Sequence, residues 1–187
     1  MSGERPVEEA QPGGGALASW AALTGAREDA ERPADLRSVV DGAEVALVEV
    51  TGETVRSICR LEVGPNQFAF VAPNAVSFAE ALFEPHAWYR AIAADGVPVG
   101  FVMLYDDPEE PVYFLWRFMI DGRFQGKGYG ARAMTLLIED VRTRPGATEL
   151  KTSWVPGEGS PEGFYRRLGF EPTGEIDEGE VVARLVL

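Results

Sequence analysis

The chain has 187 residues, enough for one ordinary domain with its own core. Acidic residues outnumber basic ones 30 to 17, a formal charge of −13 at pH 7, and so negative a surface repels a polyphosphate backbone and argues against nucleic acid as a partner. No apolar stretch approaches the length of a membrane span, and the amino terminus lacks a charged-then-apolar signal, so the expected setting is cytoplasmic with no membrane partner.

Residues 1–40 are rich in Gly, Pro, Ala and charge without a sustained apolar period, and are expected to be a disordered or loosely helical extension. The folded domain is expected over 41–187. EVALVEV, from Glu44, reads as a strand. TGETVRSICRLEV offers Thr51 as a cap ahead of a short helix carrying Val55, Ile58 and Cys59. Cys59 is the single cysteine, closes no internal disulfide and reads as a small buried group in a reducing compartment. NAVSFAEALFE predicts a second helix with Phe78, Leu82 and Phe83 on one side. Three strands follow as a meander: HAWYRAIAA, VGFVMLY after the Asp95-Gly96 turn, and VYFLWRFMI after the acidic DDPEEP loop. The last of these, Val112 to Ile120, is apolar almost throughout and is expected to be central, with Arg117 its one interruption. Ala131, Met134, Leu137, Ile138 and Val141 then recur at helical spacing, ending at Arg144-Pro145-Gly146. ATELKTSW predicts another strand, SPEGFYRRLGF a helix closed by Gly169, and VVARLVL a final strand or hairpin arm. The order predicts an α/β (α+β) domain, a mixed sheet with helices on both faces.

Gly126, Gly128 and Gly130 stand at the entry to the long helix, where unpaired amides and the positive end of the helix dipole favour an anion. Three missing Cβ atoms let a phosphate come close to the backbone. Between Asp121 and Arg144, five basic residues face three acidic ones in an otherwise acidic chain. A Walker loop is excluded because Lys127 is followed by Gly128 instead of Ser or Thr. A dinucleotide fingerprint fits the glycine spacing, but the motif lies late in the chain and five residues separate it from the preceding strand.

Gln125-Gly126-Lys127-Gly128-Tyr129-Gly130 resembles the Q/R-x-x-G-x-G/A acyl-CoA loop of the GNAT acetyltransferase superfamily. The later Phe164-Tyr165-Arg166-Arg167-Leu168-Gly169-Phe170 resembles a helix of the same family. LWRFMIDGRFQGKGYG, FVAPNAVSFAEA and GEIDEGEVVARL look like the diamine or spermine/spermidine acetyltransferase subgroup. The resemblance implies a mostly antiparallel sheet splayed at its centre, acetyl-CoA as the acyl donor, and a pantetheine arm paired with backbone near Met119 and Ile120. It also implies that a backbone amide at a bulge in the strand polarises the thioester carbonyl, with Tyr165 as general acid.

An alkyl ammonium must lose a proton before it attacks, and Glu84 is the carboxylate assigned to hold or deprotonate it, ahead of the neighbouring His86, the single histidine. Trp116 and Trp154 flank the implied splay and are candidates to line the acceptor channel, with core packing as the alternative. Glu171, Glu175, Asp177, Glu178 and Glu180 form an acidic tail that either attracts a polycation or solvates a surface. The resulting expectation is direct acetyl transfer to a small cationic amine, a polyamine first, with no metal. The alternatives are an aminoglycoside-type or protein amine and a non-catalytic acyl-CoA sensor. Dimers are frequent among similar proteins, and a free-edge final strand such as VVARLVL would serve a homodimer.

Overall fold

The computed structural model describes residues 42–187; the expectation for residues 1–40 lies outside the described residues. Seven strands form one sheet: β1 (Val45–Val48), β2 (Ala87–Ala94), β3 (Val97–Asp107), β4 (Val112–Ile120), β5 (Glu149–Trp154), β6 (Glu171–Asp177) and β7 (Glu180–Val186). Their order is β1-β2-β3-β4-β5-β7-β6, antiparallel at every junction except the parallel β4–β5 pair. The helices are α1 (Val55–Cys59), α2 (Asn74–Ala81), α3 (Tyr129–Arg142) and α4 (Glu162–Arg167).

The predicted meander forms through tight turns whose residues accept left-handed backbone. Asp95 and Gly96, with φ of 48° and 78°, join β2 to β3. The four-residue span between β3 and β4 is led by Asp107, whose Oδ1 accepts the backbone N–H of Glu109 and Glu110. At α1, Thr51 and Thr54 exchange hydrogen bonds: the Thr51 N–H donates to Thr54 Oγ1 at 2.9 Å, and the Thr54 N–H to Thr51 Oγ1 at 3.3 Å.

Helices cover both faces. On one face Ile58, Leu61 and Phe78 from the α1–α2 region pack on Ala91, Phe101, Met103 and Met119. Buried Asn74 fixes α2 there, its Nδ2 donating to the Ile58 carbonyl at 2.8 Å. On the other face Phe164 of α4 stacks on Phe118 of β4, and Met134, Leu137 and Val141 of α3 are fully buried. The core therefore sandwiches β3 and β4, as the apolar run of β4 predicts.

Three expectations are corrected. VVARLVL is not a free edge, because β7 is paired with β5 on one side and β6 on the other; the edges are β1 and the acidic β6. Leu82 and Phe83 do not join Phe78 in the core: the helix ends at Ala81, and both are more than four-fifths exposed. Cys59 is only partly buried, although burial still raises its thiol.

Candidate active site

The site begins with a fault in the sheet. β4 and β5 pair over only two positions, Phe114 with Lys151 and Leu115 with Thr152, and then part. At the same point β4 carries an extra residue: Met103 faces Arg117 and Leu104 faces Leu115, so Trp116 has no partner on β3. A bulge of this kind turns the local backbone out of the ladder. Between the parted strands lies a cleft of about 1150 Å³, lined by β4 from Phe114 to Ile120, by Thr152, Ser153 and Trp154 of β5, by the glycine loop and by α4.

At one end of the cleft, Gly126 and Gly128 have φ of 77° and 78°, and a Cβ at either would meet no atom of the described residues within 4 Å. Left-handed residues at alternate positions, directly ahead of the N-terminus of α3, build a concave cradle of the kind that suits an anion. Gly130 has no positive φ, and a Cβ there would rest 3.5 Å from Ile120 and Phe164, so its small size serves packing instead.

The cradle is anchored from beneath by Asp121, which is 2% exposed. It accepts the N–H of Glu62 at 3.1 Å and of Arg123 at 2.9 Å, and the Arg123 side chain at 2.7 and 2.8 Å. Burial pulls this carboxyl upward, but those hydrogen bonds prevail and hold it below the ordinary carboxylate range. Gln125 locks the same loop, its Nε2 donating to the Ile120 carbonyl at 2.8 Å and to Gln67 Oε1 at 2.7 Å. The Gln125 side chain thus positions the loop and bonds the Ile120 carbonyl, one of the backbone groups in the Met119–Ile120 region. Tyr129 lines the cleft, but its ring is buried. Lys127 directs its ammonium over the Phe124 ring at 5.7 Å and is outside the cleft lining.

Tyr165 lines the middle of the assembly at 5% exposure. Its ring stacks on Trp154, centroids 5.7 Å apart and planes 14° from parallel, and meets Phe164 and Phe170 edge-on. Burial pushes the phenol up to about 12, a hydrogen bond with Thr152 pulls the other way, and the charge of Glu180 adds to the rise. Thr152 in turn donates to the Leu115 carbonyl at 3.3 Å, tying the phenol to the last paired residue before the splay. The phenol is therefore a neutral proton donor across the physiological range.

Trp154 is 2% exposed and stacked, with an indole N–H that has no partner among the described residues, so it both packs and borders the cleft. Trp116 is half-buried in the cleft wall with the Arg117 guanidinium 5.2 Å over its ring. Met119 lines the cleft from the α1–α2 side, its sulfur 3.7 Å from Asn74 Nδ2. Glu84 and His86 are not brought to the cleft. The Glu84 carboxylate accepts the His86 N–H at 3.0 Å and lies 3.2 Å from its Nδ1, at the turn before β2. Asp177, Glu178 and Glu180, at and beside the β6–β7 turn, do border the cleft. Thr152 and Asp121 escaped the sequence reading, whereas the three acids were among those named from it; the missed signals were Thr152 sharing a strand face with Trp154, and a lone acid between an apolar strand and a glycine loop.

The sequence model of the acetyltransferase (GNAT) family matches residues 55–170. Spermine/spermidine N(1)-acetyltransferase of Bacillus subtilis (strain 168) is 31% identical over 142 residues, 71% of this chain and 92% of that protein. L-2,4-diaminobutyric acid acetyltransferase of Streptomyces avermitilis is 36% identical over 76 residues, so the match spans 40% of this chain and 42% of that enzyme. Among solved structures, the PaiA N-acetyltransferase of Thermoplasma acidophilum in complex with coenzyme A superposes with a TM-score of 0.56 at 12% identity, covering 77% of this chain and 99% of that one, a likeness of fold.

Proposed function

Since the chain belongs to the GNAT acetyltransferase family, and is thus an acetyltransferase that uses acetyl-CoA, we propose that its acceptor is a primary amine of a small polycation such as spermidine or a diamine. The observation that carries this reading is the pairing of opposite chemistries along one cleft: an anion cradle at Gly126 and Gly128, and carboxylates at Asp177, Glu178 and Glu180. A relative named for spermine and spermidine supports it.

The residues present suit the acyl donor, because the space a Cβ would fill at Gly126 and Gly128 is open and the N-terminus of α3 follows directly. The cradle formed by Gln125, Gly126, Lys127, Gly128, Tyr129 and Gly130 would hold its diphosphate, and the parted edge of β4 near Met119 would take its arm. When bound, acetyl-CoA supplies an acetyl group already activated as a thioester. The backbone at the Trp116 bulge is placed to donate an N–H to a carbonyl oxygen that gains negative charge. Tyr165 holds the proton that a leaving thiolate needs. A phenol near 12 gives it up to a thiolate of about 8.5 only uphill, so the transfer accompanies bond cleavage instead of following it. Thr152 fixes the hydroxyl through Leu115.

A second reading is favoured by Arg117. Arg117 lines the cleft, Nη2 bonded to Glu80 at 3.0 Å, while its Nε is buried without a partner among the described residues. Such a group suits an amine that also carries a carboxylate, and one relative is named for diaminobutyrate. Thiol release with spermidine, short diamines and 2,4-diaminobutyrate separates the two. The primary reading expects kcat/KM to be highest for a polyamine; a tenfold preference for the diamino acid would transfer it to the second.

A further inference from the structure

Glu84 does not line the cleft, which leaves open which carboxylate meets the amine. Glu180 opens β7, one residue before Val181, which pairs with Trp154. It therefore sits beside the last residues of β5, where β4 has already departed. Ser153 Oγ donates to Glu180 Oε2, which orients the carboxylate along the strand end. Glu180 has no ion-pair partner among the described residues, whereas Glu80, Glu149, Glu162 and Asp140 are all paired with arginine or lysine.

Successive side chains of a strand point to opposite faces. Thr152 and Trp154 face Tyr165, so Ser153 and the carboxylate it holds belong to the other face of the sheet. Glu180 is nevertheless close enough for its charge to bear on the Tyr165 phenol across the open seam. Trp154, on the Tyr165 side, has an indole N–H with no partner among the described residues.

Resting on the functional reading above, we propose that Glu180, oriented by Ser153, is the residue that receives the ammonium group of the amine substrate at the β4–β5 seam. Glu180 Oε2 is held by Ser153, and Oε1 is left to accept the ammonium N–H. The ammonium is thereby held on one side of the seam, with the Tyr165 hydroxyl on the other, so that substrate binding and the proton donor do not compete for one position. Asp177 and Glu178, exposed on the adjoining turn, lie where further ammonium groups of a polycation would extend.

The test uses the full chain with spermidine as the probe, comparing native protein with Glu180→Gln, Glu180→Asp, Ser153→Ala and Glu175→Gln. The readouts are steady-state KM and kcat, and calorimetric Kd for spermidine and for coenzyme A. Losing one charge-assisted bond raises KM and Kd for spermidine about tenfold or more in Glu180→Gln, with coenzyme A binding within about twofold of native. Ser153→Ala raises KM about threefold, and Glu180→Asp recovers part of the loss. Glu175→Gln, on exposed β6 and outside the cleft lining, behaves as native. Native spermidine binding in Glu180→Gln overturns the proposal, as does an equal loss in Glu175→Gln, which would make the effect a diffuse surface charge. If native protein binds coenzyme A and acetylates no amine, the functional reading itself fails and takes this inference with it.

Discussion

Gly128 offers the sharpest test of the anion cradle, because one methyl group there acts on backbone and ligand separately. The residue caps α3 with φ 78° and ψ 1°, and an added Cβ would meet no atom of the described residues within 4 Å. In Gly128→Ala an L side chain is forced into left-handed backbone at a cost of about 1–2 kcal/mol. For a domain of this size that lowers Tm by about 2–8 °C. The methyl also fills the space in front of the α3 amides, so Kd for coenzyme A rises more than about tenfold, over 1.4 kcal/mol. Gly130→Ala is the internal control: its Cβ makes ordinary 3.5 Å contacts with Ile120 and Phe164 inside a helix. It keeps Kd within about threefold and gains helix propensity of up to about 1 kcal/mol. The assay is a thermal melt without ligand, then calorimetry with coenzyme A and with pantetheine, which lacks the diphosphate. Pantetheine affinity stays unchanged in Gly128→Ala. Native coenzyme A binding in Gly128→Ala, or equal damage from Gly130→Ala, would refute the cradle.

Tyr165→Phe keeps the ring stacked on Trp154 and removes the proton donor, so kcat falls about 10²–10⁴-fold while coenzyme A affinity holds; a kcat within threefold of native would remove Tyr165 from the chemistry. Because the phenol is pushed up to about 12, rate loss through its ionisation appears only as pH rises toward that value, and a Tyr165-dependent fall near pH 9 would contradict the burial argument. Asp121 has its carboxyl held below the ordinary range, so the stability it lends is present above pH ~4 and is lost as pH falls further. Asp121→Asn accordingly costs about 1–3 kcal/mol at neutral pH and flattens the acid limb of the melt, and an unchanged limb would show that the anchor is unimportant. Gly100→Ala brings a Cβ within 2.4 Å of the Met119 carbonyl and 2.8 Å of Ile120 Cδ1, which displaces β4 beside the cleft; Tm and coenzyme A affinity should fall together.

Local signals in the sequence carried the strands, the glycine loop and α4, because alternation, helical period and turn residues are properties of neighbours along the chain. Asp95-Gly96 and the apolar run of β4 are of this kind. What failed were judgements that depend on partners far away in sequence. VVARLVL looks like an edge strand until β6 folds back on it, and the Glu178-Gly179 turn that allows this is written in residues that read equally well as a solvated acidic tail. Glu84 sits near a plausible substrate region in the linear order, yet the β2–β3 register places it with His86 and Asp107 at the far end of β3. Leu82 and Phe83 continue a helical period that the backbone abandons at Ala81. Thr152 acquires meaning, and Glu180 is set apart from the other acids of the tail, only once β5 is seen to pair with β7 on one side and to leave β4 on the other.

The most direct test of the account is to incubate the native chain with acetyl-CoA and spermidine, following thiol release while the amine is analysed by NMR for a new amide. The account predicts one acetylated amine per thiol released, saturable in spermidine and abolished to near background in Tyr165→Phe. Thiol release that matches the amine-free control, with coenzyme A bound, would contradict acetyl transfer to a polycation and return the cleft to a different acceptor.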